Sequence, residues 1–158
     1  MIAENISHLN LYEAIVLEGL PIVPAGVIDK IRYHVESGRL EETMEVHLRE
    51  AAKIPDHELE AYRKSPFWNA RIPLASTIPR ELNTESTYRF ISERFENLKM
   101  PVLLLLVGDS PSIYREGTAI LESALSNSKT VILPGQQHMA HHQDPGLLAK
   151  EILAFLGE

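Results

Sequence analysis

The segment from Met100 to Val107, Met-Pro-Val-Leu-Leu-Leu-Leu-Val, contains no polar side chain. A stretch this uniform has no side to show to water, so it must be covered on both. Leucine also favours helices, but Pro101 opens the run and Gly108-Asp109-Ser110-Pro111 closes it, leaving a segment of strand length. A strand buried on both faces belongs in a parallel sheet flanked by helices, and an α/β architecture follows.

The neighbouring sequence agrees with this reading. Lys129 to Leu133 reads as a second strand, closed by Pro134-Gly135, and Ile113, Ile120, Leu121, Ala124 and Leu125 between the two recur near helical spacing. The unit is β-α-β, with parallel strands and a right-handed crossover expected. Pro145 opens a terminal helix whose apolar residues Leu147, Leu148, Ile152, Leu153 and Leu156 run up to Gly157. At the other end, Ile6 to Tyr12 alternates and reads as a third strand.

The middle of the chain is helical in pattern. Val27, Ile28, Ile31 and Val35 precede Gly38; Leu40, Met44, Leu48 and Ala52 precede Pro55; a short helix surrounds Leu59 and Tyr62. Pro66, Pro73 and Pro79 are expected to break the section that follows. The 158 residues are therefore read as a single domain: a first strand segment over 1–21, a helical insertion over 22–97, and a β-α-β-α segment over 98–158.

Composition narrows the function. Apolar residues make up 44% and charged residues 23%, an ordinary globular balance that excludes fibrous and disordered classes. The formal net charge of -7 argues against nucleic acid as a partner. No cysteine is present, which removes thiol nucleophiles and thiolate metal sites and suits a cytoplasmic setting. The first residues, Met1-Ile2-Ala3-Glu4-Asn5, lack the pattern of a signal peptide, and no apolar run reaches membrane-spanning length. No Gly-rich phosphate loop follows any predicted strand, and no cofactor is expected.

Asp109 directly follows the buried strand, and His138 follows the next one, in Pro134-Gly135-Gln136-Gln137-His138. In an open parallel sheet, ligands bind beyond the carboxyl ends of the strands, so both lie at the chemically useful edge. Asp109 there either caps the next helix or acts on a ligand; His138 either bonds at the surface or shuttles protons beside a carboxylate. His138, His141 and His142 lack the spacing of a helical zinc motif, and no metal is expected. Trp68 either lines an apolar pocket or is simply core.

The order of Ile6 to Glu13, a helical block, Leu103 to Pro111, then Val131 to Pro145 with a terminal helix resembles the C-terminal portion of an α/β-hydrolase of the esterase and lipase-like kind. The resemblance covers essentially the whole chain. It implies about three parallel strands with flanking helices and a helical cap, with Asp109 as the triad acid and His138 as the triad base. It also implies a small apolar or ester ligand.

The family's triad order is serine, acid, histidine, with the serine in a Gly-x-Ser-x-Gly elbow. That motif does not occur here; Gly108-Asp109-Ser110 is followed by Pro111-Ser112. The first strands, the oxyanion loop and the nucleophile of the family are expected to lie N-terminal to Met1, and a complete fold takes about 250 residues. Such a chain is expected to be inactive alone, or to serve as a non-catalytic binding or self-assembly module. An unpaired edge on the first strand is expected to recruit a second copy or a complementing chain.

Overall fold

The structure is a computed structural model that describes residues 5–16 and 23–157. Among these residues the sheet has three parallel strands, β1 (Leu9–Tyr12), β2 (Val102–Val107) and β3 (Ser128–Leu133), in the order β1-β2-β3. Leu9 pairs with Val102 and Tyr12 with Leu105; on the other side, Val102 pairs with Ser128 and Val107 with Leu133.

The central position of β2 accounts for its composition, because every one of its residues is buried. Val102 and Leu104 face one layer with Leu9 and Leu11 of β1 and with Leu121 and Leu125, which helix α6 (Ser112–Ala124) supplies or precedes. Leu103, Leu105 and Val107 face the other layer, formed by Tyr12, Val131, Leu133 and Phe155 of helix α8 (Pro145–Leu156). Fully burying each leucine contributes about 1.5–3 kcal/mol, so β2 is the main apolar investment of this unit. A short helix, α7 (Ala140–Gln143), precedes α8, whose first turn is capped by the Asp144 carboxylate accepting from the Leu147 N–H at 3.0 Å.

The approach of α6 to the end of β1 is set by Gly117. A Cβ at that position would lie 2.7 Å from the Ala14 carbonyl oxygen and 2.9 Å from the Val16 nitrogen, so only glycine lets the helix backbone come this close. The segment leaving β1 is thereby held against the helix.

The chain divides into two compact units, Met1–Gly19 with Arg89–Glu158, and Leu20–Tyr88. Each unit has buried apolar residues of its own. The helical unit holds α1 (Val27–Glu36), α2 (Leu40–Val46) continued by a π-helical turn to Ala51, α3 (Asp56–Arg63), α4 (Pro66–Arg71), a 3-10 segment (Ile72–Thr77) and α5 (Ile78–Thr87). Ile31, Met44, Leu59, Trp68, Ala75 and Leu82 are buried in it.

One boundary and the role of three prolines differ from expectation. The helical block ends at Tyr88, before 97, because Phe90, Phe95 and Leu98 pack on the β2 face and stay with the sheet. Its expected start at 22 lies outside the described residues. Pro66, Pro73 and Pro79 open helical segments instead of breaking the chain into loops. Proline is favoured in a first turn, where its missing N–H has no helical partner to lose.

Candidate functional site

The three strands are parallel, so their carboxyl ends share one edge of the sheet. β1 stops at Tyr12, whereas β2 runs two residues further than the partner of Tyr12, to Val107. The Glu13 N–H still donates to the Leu105 carbonyl at 2.9 Å, and the chain then turns away with Glu13 at φ 47°. The next β2 donor facing that side, the Val107 N–H, would have no strand acceptor. The Glu13 side chain supplies one: its Oε1 accepts from Val107 at 3.0 Å. A carboxylate thus continues the ladder where backbone pairing ends, which satisfies a buried donor that would otherwise be costly.

The same carboxylate meets His138. Glu13 Oε2 lies 3.3 Å from His138 Nδ1, with the Glu13 side chain wholly buried and that of His138 one quarter exposed. An ionised carboxylate can only accept, so this contact calls for the proton on Nδ1 and leaves the lone pair on Nε2. The left-handed backbone of a non-glycine residue is uncommon and is tolerated where surroundings over-determine it. Here one hydrogen bond donated to β2, one accepted from it and the histidine contact do so.

His138 is fixed from two further directions. The Tyr12 hydroxyl donates to the His138 carbonyl at 2.8 Å, and the buried Tyr114 ring stacks on the imidazole with centroids 4.8 Å apart and planes 20° from parallel. The loop carrying His138 also lies close against Gly108, whose N–H donates to the Leu133 carbonyl at 2.8 Å. A Cβ on Gly108 would sit 3.2 Å from the Gly135 nitrogen. The imidazole therefore has a defined position, and a carboxylate partner on Nδ1 favours the tautomer that leaves Nε2 as an acceptor.

Of the residues singled out in the sequence, His138 stands at this edge. Asp109 is exposed on the turn after β2, and its backbone N–H donates to the Gln136 carbonyl at 3.1 Å. The carboxylate in contact with His138 Nδ1 is that of Glu13. Glu13, Ser110 and Tyr114 were not anticipated as site residues. The available signal was positional: Glu13 is the first residue past the carboxyl end of β1, and Asp109 the second past that of β2. Trp68 is in the core of the helical unit, its indole N–H donating to Glu41 at 3.0 Å and its ring edge-to-face with Tyr62 at 5.8 Å. His141 packs against Tyr12 and His142, and among the described residues no group of three or more metal-ligating side chains converges.

No family model matches the sequence, and no curated sequence matches it. Solved structures do match in three dimensions. An α/β hydrolase from Sphaerobacter thermophilus superposes with a TM-score of 0.79 at 21% identity, over 98% of this chain and 60% of that one. The chain has part of an α/β-hydrolase fold. MGS-M2, an α/β hydrolase from a Medee basin deep-sea metagenome library, matches with a TM-score of 0.67 at 14% identity, over 96% of this chain and 56% of that one. A bromoperoxidase from Bacillus anthracis matches with a TM-score of 0.65 at 16% identity, over 99% and 63% respectively. The chain thus spans 56 to 63% of the length of these three structures. Among the described residues, no helix of this fold is long and apolar enough to cross a membrane.

The two carboxylates at this edge are separable by stability. Glu13→Ala removes the acceptor of a buried N–H and is expected to cost roughly 1–3 kcal/mol. Asp109→Ala, on an exposed turn, is expected to stay within about 0.5 kcal/mol of the unaltered chain. Urea unfolding of the two variants measures both; equal effects would contradict the assignment of the buried role to Glu13.

Proposed function

We propose that the chain carries the acid-base part of a hydrolase site, with His138 as the base and Glu13 as the carboxylate that orients it. The observation that supports this reading is the 3.3 Å contact between His138 Nδ1 and a wholly buried Glu13 carboxylate at the edge where parallel sheets bind ligands. A serine presented to His138 Nε2 would lose its proton to the imidazole as it attacks an ester carbonyl. The imidazolium would then protonate the leaving alcohol, with Glu13 stabilising its charge.

The nucleophile and the oxyanion donors are not among these residues. No Gly-x-Ser-x-Gly occurs in the sequence, and Ser110 is buried with its hydroxyl on Glu13 Oε1 at 2.6 Å, not on His138. Loss of the nucleophile alone can lower turnover on the order of a million-fold. In this reading the 158 residues hydrolyse esters only when a serine-bearing segment, on the same or another polypeptide, completes the site. The ligand class is a small apolar molecule or ester. A cytoplasmic setting belongs to the same proposal, since no cysteine is present to draw on an oxidising compartment.

A second reading, a self-assembly module without catalysis, has one observation in its favour. β1 lies at an edge of the sheet, with β2 as its pairing partner among the described residues. An open edge strand is a template for a further strand, from a second copy or a complementing chain.

Hydrolysis of p-nitrophenyl butyrate by the purified chain is expected to match that of His138→Ala within about twofold, since the imidazole has no serine to activate. Turnover that depends on His138 would reveal a nucleophile in this chain and overturn the incomplete-site reading. Sedimentation equilibrium at micromolar concentration tests the edge: a mass above one chain is expected from strand pairing, and a compact monomer would count against it.

A further inference from the structure

Ser110 is a buried polar residue that the acid-base pair does not itself require. Its side chain reaches two acceptors, Glu13 Oε1 at 2.6 Å and the Val107 carbonyl at 2.8 Å. A hydroxyl has one proton to donate, so it can satisfy only one of them. The Val107 carbonyl already accepts from the Ser110 N–H at 3.3 Å, across the turn that follows β2. An ionised carboxylate is the stronger acceptor, and the shorter contact is the one to it. The hydroxyl proton therefore belongs to Glu13.

We propose that Ser110 is a positioning residue, whose hydroxyl holds the Glu13 carboxylate turned so that Oε2 faces His138. The proposal rests on the acid-base reading of Glu13 and His138 given above. Oε1 is gripped by two donors, the Val107 N–H in the plane of the sheet and the Ser110 hydroxyl from the turn beyond it. Two donors on one oxygen fix the rotation of the carboxyl group, and that rotation decides where the second oxygen points. Ser110 is itself held in place: the Arg115 guanidinium donates to its carbonyl. With 3% of its surface exposed, little room exists for water to replace the hydroxyl. Without it, Oε1 keeps one donor, the carboxylate turns more freely, and the Nδ1–H tautomer of His138 loses its preference.

A serine that only braced the turn through the Val107 carbonyl would affect stability and leave the imidazole unchanged. The histidine tautomer distinguishes the two roles. Long-range proton-nitrogen correlation spectra of the full chain, labelled with nitrogen-15 and recorded where imidazole is neutral, report which ring nitrogen carries the proton. The unaltered chain is expected to show His138 as a single Nδ1–H form. Ser110→Ala is expected to lose that single form, with an Nε2–H population appearing while the rest of the spectrum stays dispersed. A Ser110→Ala spectrum with His138 unchanged would overturn the positioning role and leave the Glu13–His138 pair standing. If the unaltered chain itself shows His138 as Nε2–H, the pair fails, and the positioning role fails with it. Should Ser110→Ala not fold, Ser110→Cys keeps the shape with a weaker donor. A partial loss of the Nδ1–H form is expected there, and full retention would overturn the proposal.

Discussion

A strand without a polar side chain has one place to go, the middle of a sheet covered on both faces, and β2 occupies it. The placement of the other elements in this unit follows from that demand. Two apolar layers are needed, and α6 and α8 supply them from opposite sides. Two neighbouring strands are needed, and both are parallel to β2, so the three carboxyl ends come out together. Glu13 and His138 meet at that edge because the core dictates where the strands end.

The strands do not end level, and the difference is used. β2 outlasts β1, which leaves the Val107 N–H facing a neighbour that has already turned away. A carboxylate from the turn residue resolves the deficit, and its second oxygen is then free to meet a histidine from the far side of the sheet. One side chain thus satisfies the backbone and orients the imidazole. The group that would set the tautomer of His138 also terminates the ladder. It also explains the uncommon backbone conformation at Glu13, which is held from several directions at once.

Much of the fold was legible in the sequence because its signals are local. The apolar run of β2, the Pro-Gly after β3, the helical spacing from Ile113 to Leu125 and the Pro145 start of α8 each specify an element without reference to the rest. The site was legible in part. His138 was expected at the loop after β3 and is found there, whereas the partner of its Nδ1 depended on how far β1 and β2 run relative to each other. That register is a tertiary property with no local mark, and Asp109 and Glu13 look alike by position alone. The prolines at 66, 73 and 79 misled for a related reason: a proline before a helix and a proline between loops share the same residue, and only the chain around it decides.

The central claim is that Glu13, and not Asp109, is coupled to His138. A double-mutant cycle measures that coupling directly, using unfolding free energies of Glu13→Ala, His138→Ala and the double variant, beside the same cycle built on Asp109→Ala. The account predicts a coupling of about 1 kcal/mol or more between Glu13 and His138, the range found for residues in one hydrogen-bonded network, and additivity within about 0.5 kcal/mol for Asp109 and His138. Coupling of His138 to Asp109 with additivity at Glu13 would contradict it.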